Sequence, residues 1–317
     1  MDEMRTALLD WYARHKRELP WRRNTDAYRV WISEIMLQQT RVAAVLEHYR
    51  IFLEAFPTVA ALAEGSEERV LTLWSGLGYY RRARMMHRAA QVVVSELGGV
   101  IPRNAQGLMR LPGVGRYTAA AIASIAYGEP VAVVDGNVER VLSRMDGEEY
   151  ENASAWPRAQ ELLDRGRPGD WNQAMMELGA TVCTPQNPQC LACPVRKWCR
   201  APGEGVRRAQ APRKRLQTTR ALVERNDCVF LVQRGADEKK MAGMWELPEW
   251  HGKDGAEKLG AVRHSITDTD YEVQVVRLEL RAFCGMGEMV GRWVRGDEIF
   301  ELPLTGLTRK ILRKQGR

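Results

Sequence analysis

Apolar residues recur through the first two-thirds of the chain with a period near 3.6, the mark of helices that bury one face. Met4–Arg14, Tyr28–Phe52, Glu67–Leu73, Ala83–Leu97, Tyr117–Tyr127, Val138–Met145, Ala155–Asp164 and Trp171–Thr181 carry this pattern. Breakers separate them at Pro57, Gly76–Gly78, Gly98–Gly99, Pro112–Gly113, Asp135–Gly136 and Gly166–Gly169. No strand-like stretch of useful length precedes Val131–Val134, so residues 1–200 read as an all-helical lobe. Residues 201–219 are poor in apolar positions and dense in Arg and Lys, which suits a solvated linker and equally a phosphate backbone. Beyond Thr219 the period shortens. ALVERNDCVFLVQR reads as a β-hairpin turning at Asn226–Asp227, and Glu272–Arg281 alternates again. Met244–Trp250 and Leu259–His264 read as loops, and Thr308–Lys314 as a terminal helix. The fold class is mainly α, with a smaller α+β domain over 220–317.

At 317 residues there is room for two cores, and the formal charge of +7 favours an anionic partner. No apolar run approaches a membrane span and MDEMRTALLDW lacks a signal-peptide layout, so a soluble, cytoplasmic protein is expected. Between Arg17 and Arg196 there is no lysine, so no amine in that segment can form a Schiff base. Of six cysteines, four crowd into CTPQNPQCLACPVRKWC with spacing C-x6-C-x2-C-x5-C. Such crowding points to metal ligation rather than disulfides. Zinc sites usually show two CxxC-like knuckles; here only Cys190 and Cys193 are so spaced, which favours a four-iron cluster.

Two carboxylates stand in apolar surroundings. Glu34 in YRVWISEIMLQQTRV lies among Trp31, Met36 and Leu37; it belongs either to a polar stripe facing water or to a buried site. Buried, its pKa would rise and it could act as a general acid near neutral pH. Asp135 in VAVVDGNVERVL reads first as a helix N-cap, yet a buried run delivers it and Gly136 permits close approach. Cleavage of an N-glycosidic bond needs these two functions, an acid for the departing base and a carboxylate for the oxocarbenium-like sugar. In LPGVGRYTAAA a glycine pair opens a helix, either for steric reasons or to bring backbone N–H groups close to an anion.

SEIMLQQT, LWSGLGYYRRARMMH, LPGVGRYTAAA, VDGNVERVLSR, WNQAMMELGATVC and the cysteine segment, in this order, resemble the adenine DNA glycosylase (MutY) family of the helix-hairpin-helix superfamily, to which endonuclease III is related. The resemblance implies a six-helix barrel over about 25–134, a cluster part from 1–24 plus 135–200, and a C-terminal Nudix-like domain. It implies that Glu34 protonates a flipped adenine and Asp135 stabilises or traps the C1′ cation. Tyr117 would hydrogen-bond the aspartate, and Asn137 would position it or the water. Arg22, Leu37, Gln173 and Trp21 match the adenine pocket. Gln38 and Tyr79 match residues wedged into the base stack, with Gln39 and Thr40 beside them; Tyr80 reads as core packing. Gly113, Gly115 and Arg116 match a phosphate-binding turn. Cys183, Cys190, Cys193 and Cys199 match [4Fe-4S] ligands.

Bifunctional relatives carry a lysine where this chain has Tyr117, which implies base removal without strong AP-lyase activity. The domain beginning LVQRGADEKKMAGMWELPEW resembles a reader of 8-oxoguanine but lacks the REXXEE core of hydrolytic Nudix proteins. Its reader loop carries Ile266-Thr267-Asp268 in place of Phe-Ser-His, leaving Thr267 to offer the hydroxyl. The implied partner is double-stranded DNA with adenine opposite 8-oxoguanine or G, bound by a nucleoid-associated monomer in base-excision repair. Retuning to T or U opposite G is the alternative. A non-catalytic DNA-binding protein would need none of Glu34, Tyr117, Asp135 and Asn137.

Overall fold

Amphipathic segments of the N-terminal lobe fold as helices whose ends are set by side-chain caps and left-handed residues. The computed structural model describes residues 1–201, 212–235, 238, 241–252, 255–266, 268–284 and 290–317. In chain order its helices are α1 (Asp2–His15), α2 (Ala27–Leu37), α3 (Val42–Ala55), α4 (Val59–Glu64), α5 (Glu67–Trp74), α6 (Arg81–Leu97), α7 (Ala105–Leu108), α8 (Arg116–Tyr127), α9 (Gly136–Asp146), α10 (Asn152–Leu162) and α11 (Pro168–Thr181). Asp26 caps α2 by accepting from the Arg29 N–H at 2.8 Å. No helix among the described residues is long and apolar enough to cross a membrane.

The continuous apolar period over Tyr28–Phe52 conceals a break. α2 stops at Leu37 and α3 starts at Val42, with Gln39 in the left-handed region at φ 58° and the Thr40 N–H closing a turn on Leu37 O at 3.2 Å. Periodicity survives the turn because both helices bury the same kind of face, so only the polar run Gln38-Gln39-Thr40 marks it.

The chain forms two units, Met1–Glu64 with Met85–Ala209, and Gly65–Arg84 with Gln210–Arg317. The sequence pattern puts residues 65–84 in the helical lobe; the structure groups them with the C-terminal sheet. Side-chain bonds between residues far apart in the chain join the two segments. Ser75 Oγ donates to Leu304 O at 2.8 Å, Thr72 Oγ1 to Glu301 O at 2.9 Å, and Arg309 Nε to Ser75 Oγ at 3.1 Å. No periodicity reports such bonds.

In the first unit, Leu8, Tyr12, Ala121, Val133, Leu142, Leu162, Trp171 and Leu178 belong to one buried cluster. The extended run Val131–Val134 passes through this part of the core and, among the described residues, has no strand partner. Its amides are instead satisfied by side chains: Ala132 N–H donates to Gln160 Oε1 at 2.8 Å and Val133 N–H to Asn172 Oδ1 at 3.0 Å. That arrangement delivers Asp135 to the start of α9.

The second unit is built on β1 (Lys214–Arg225), β2 (Cys228–Gln233), β3 (Trp245–Glu246), β4 (Ala256–Ile266), β5 (Thr269–Leu278) and β6 (Gly291–Arg295). The sheet order is β3-β2-β1-β5-β4, with β6 also on β2; β1 and β5 are parallel and the other pairs antiparallel. Asn226 and Asp227, at φ 49° and 61°, make the two-residue turn between β1 and β2 where the sequence predicts it. Residues 259–264, read as a loop, lie inside β4; a register shift at Lys258/Gly260 obscures the alternation there. The strand expected over 272–281 is shorter at its end, because α12 (Leu280–Cys284) begins there. Terminal α13 (Gly306–Lys314) buries Ile311 and Leu312 with Leu222, Val229 and Val273.

Candidate active site

Glu34 is the most consequential polar residue of α2. Its neighbours Trp31, Ile35 and Met36 are buried, and Glu34 itself is only 6% exposed. Burial pushes its carboxyl up from an ordinary 4.5 to about 7. A hydrogen bond from Tyr117 and the Arg22 charge pull the other way, while the Asp135 charge adds to the rise. The water-facing reading is therefore excluded. At neutral pH an appreciable share of Glu34 carries its proton.

Tyr117 sits in the first turn of α8, where its OH donates to Glu34 Oε2 at 2.7 Å and reaches Met176 Sδ at 3.4 Å. This corrects the expectation that the phenol bonds the aspartate. The oxygens of Asp135 are otherwise engaged: Oδ1 accepts from the Asn137 and Val138 N–H groups at 2.9 and 2.8 Å, and Oδ2 from Asn137 Nδ2 at 2.9 Å. Asp135 is thus a helix N-cap whose charge is also felt at Glu34. Burial, then the charges of Glu34 and Asp135, hold the Tyr117 phenol well above its ordinary range. Tyr117 is a donor, not a phenolate.

Asn137 is itself fixed. Its Oδ1 accepts from Arg140 Nη2 at 2.9 Å, and α11 comes so close that a Cβ at Gly179 would lie 2.6 Å from Asn137 Cβ. Only glycine allows that approach.

Arg22 and Trp21 lie on a short turn, Pro20–Arg22, before α2. Trp21 is buried edge-on to Tyr49 at 5.3 Å, which makes it a wall of the core. Arg22 Nη2 donates to Glu177 Oε2 at 2.9 Å, and Arg17 forks onto both oxygens of the same carboxylate at 2.8 and 2.7 Å. Burial of Glu177 works to raise its pKa, but the bonds from Arg17 and Arg22 outweigh it and hold the carboxyl at about 2. Sequence reading missed Glu177, although it stands four residues after Gln173 in an apolar helix, the same signal that singles out Glu34. Gln173 is half-buried, its Nε2 3.3 Å from Gly169 O, and Leu37 is half-buried at the end of α2.

Gln38 Nε2 donates to Thr118 Oγ1 at 3.0 Å, which ties the α2–α3 turn to α8, and Thr40 Oγ1 donates to Gln38 O at 3.3 Å. Gly113 has φ 74°, and a Cβ there would meet Met85 Cβ at 2.4 Å. The turn before α8 therefore requires glycine on both counts. Gly115 is the N-cap of α8 and supplies no side-chain cap. Arg116 stacks over the Trp156 ring at 3.9 Å. Tyr79 belongs to the second unit, as does the β4–β5 hairpin; Thr267 lies outside the described residues. In that hairpin Ser265 Oγ donates to Asp270 Oδ1 at 2.6 Å and Arg213 Nε to the same oxygen at 2.8 Å.

Cys183, Cys190, Cys193 and Cys199 line one small cavity of about 20 Å³ with Arg144. Four thiols lining one cavity suit a four-iron cluster, in which each cysteine meets a different iron. Burial pushes the Cys193 thiol up to about 11, and Cys199 upward as well, so ligation would have to supply the compensating charge. Arg144 Nη1 approaches Cys183 Sγ at 3.2 Å and donates to Thr184 O at 2.8 Å.

Residues 32–162 match the HhH-GPD superfamily of base excision DNA repair proteins. Over 212 residues the chain is 53% identical to the human adenine DNA glycosylase, covering 62% of this chain and 39% of that one. It thus spans about two-fifths of that relative's length. A thermostable thymine-DNA glycosylase is similar in structure, with TM-score 0.58 and 30% identity over 63% of this chain and 96% of that one. An endonuclease III trapped as a covalent intermediate with DNA aligns with TM-score 0.54 and 25% identity over 62% of this chain and 92% of its own. A helical unit that buries a glutamic acid against a tyrosine, matched by the superfamily model and by a 30% identical glycosylase that the chain covers almost whole, belongs to the HhH-GPD superfamily of base excision DNA repair proteins and is similar to the adenine DNA glycosylases.

Proposed function

We propose that this chain is a monofunctional DNA glycosylase that removes adenine mispaired with 8-oxoguanine or G. The observation that carries the reading is Glu34, a carboxyl near pKa 7 that accepts from Tyr117 and lies within the field of Asp135. A flipped base would receive the Glu34 proton as the C1′–N bond breaks. Asp135 would face the positive charge left on the sugar, with Asn137 holding the carboxylate in place, and water would add at C1′ and release a proton. Tyr117 stands where an amine would be needed for strand cleavage, and a phenol held in its neutral form does not make a Schiff base. The free N–H groups at the start of α8 would meet a DNA phosphate. Cys183, Cys190, Cys193 and Cys199 would hold a four-iron cluster, which would cross-link the segment after α11. Lesion preference rests on the β4–β5 hairpin, where Asp268 and Asp270 stand near the expected phosphate path.

The test is base release from duplexes with adenine opposite 8-oxoguanine, G, C or T, followed by alkali. Cleavage is expected at adenine opposite 8-oxoguanine and G, with no borohydride-trapped adduct; intact adenine duplexes would refute the proposal. The 30% identical thymine-DNA glycosylase favours a second reading, a specificity retuned to T opposite G, which the same assay decides when that duplex is included.

A further inference from the structure

The first turn of α6 holds a cation over two rings that nothing in the reaction above uses. Tyr79 has φ 47°, a left-handed conformation rare outside glycine, and the residue is 46% exposed. Such a backbone persists only where its surroundings over-determine it. The Arg82 guanidinium stands 5.5 Å from the Tyr79 ring centroid and 5.4 Å from that of Trp74, which is fully buried. Arg82 Nη2 also donates to Leu77 O and Gly78 O, both at 3.2 Å, and Trp74 Nε1 donates to Gly78 O at 3.1 Å. One side chain therefore stacks on Tyr79 and ties down the two carbonyls just before it. All of these residues lie in Gly65–Arg84 of one unit.

We infer that Arg82 is a positioning residue for base opening: it presets the exposed Tyr79 ring in its inserting conformation. This rests on the reading of the chain as a base-flipping glycosylase. A wedge already fixed in place loses little rotamer freedom on insertion, so more of its contact energy goes to unstacking the target base. The geometry needs a planar fork that donates at its edge while offering its faces to rings. Lysine, a point charge on a flexible stem, cannot do both.

Opening can be followed without excision, as the fluorescence rise of 2-aminopurine opposite G in a duplex mixed with the full chain. Arg82→Lys is expected to slow that rise roughly tenfold, the loss of about one cation–π contact and its anchoring. Arg82→Met, which keeps the stem, should slow it at least as much. In a Tyr79→Ala background neither change should slow it further. Opening at the wild-type rate in either variant, or losses that multiply with Tyr79→Ala, would overturn the assignment. Adenine release from the same samples separates the two claims. Full opening without release by the wild type sinks the reaction and leaves the role of Arg82 measurable, whereas release with unaltered opening in Arg82→Lys sinks that role alone. No fluorescence rise in the wild type sinks both.

Discussion

Two buried glutamates in the helical unit, Glu34 on α2 and Glu177 on α11, have opposite electrostatic fates. Both are nearly solvent-free, at 6% and 1% exposure. Glu34 accepts from a neutral phenol and rises to about 7; Glu177 accepts from two guanidinium groups and falls to about 2. Burial acts the same way on each, so the partner decides the sign. One carboxyl is left able to give a proton at neutral pH. The other is a fixed anion that orders Arg17 and Arg22, and through Arg22 it touches the field at Glu34.

The sharpest break of this contrast is Glu34→Gln. It should reduce single-turnover adenine release by about 10²–10⁴-fold while duplex affinity, measured by anisotropy, stays within a few-fold of wild type. Retained activity would remove Glu34 from the chemistry.

Next in size is Glu177→Gln, which leaves two guanidinium groups without their carboxylate. It should lower unfolding free energy by about 3 kcal/mol in urea titrations, with activity per folded molecule falling less than in Glu34→Gln. A stability unchanged from wild type would show that the arginines find water instead.

The two sites also predict opposite pH slopes. Glu34 has a raised pKa, so the folded state holds its proton more tightly and stability declines as pH rises from about 4.5 to about 7. That decline amounts to at most about 3 kcal/mol and should vanish in Glu34→Gln. Glu177 has a depressed pKa, so its contribution is present above about 4.5 and is lost as pH falls toward 2. Chemical denaturation across pH in wild type and the two glutamine variants separates the slopes. The activity limb follows the same sign, with adenine release falling as pH rises through about 7.

The smallest effect belongs to Tyr117→Phe. Its OH bond lowers the Glu34 pKa, so its loss should move the alkaline limb of the rate profile to higher pH, with a rate loss of about tenfold or less at pH 7. A limb that stays in place would mean that the phenol does not set the acid.

Much of this was legible in the chain because the signals are local. The left-handed turn at Asn226–Asp227, the apolar setting of Glu34 and the capping role of Asp135 each rest on residues a few positions apart. Where partners are distant, sequence reading failed. It bonded Tyr117 to Asp135, whereas the packing of α8 against α2 turns the phenol to Glu34 Oε2. It ran one helix through Gln39, because a period does not register a single positive φ. It put residues 65–84 in the helical lobe, because the hydroxyl bonds to Leu304 and Glu301 span more than two hundred residues.

By itself, then, the sequence determined which residue types were available: a carboxylic acid in an apolar helix, no lysine near it, a capping aspartate, four crowded cysteines and a glycine that its turn cannot replace. Only the tertiary structure decided which glutamate is acidic and which is proton-bearing. A side chain's charge state depends on what folds against it: Arg17 and Arg22 reach Glu177 only once the segment between α1 and α2 lies against α11, and Tyr117 reaches Glu34 only once α8 packs on α2.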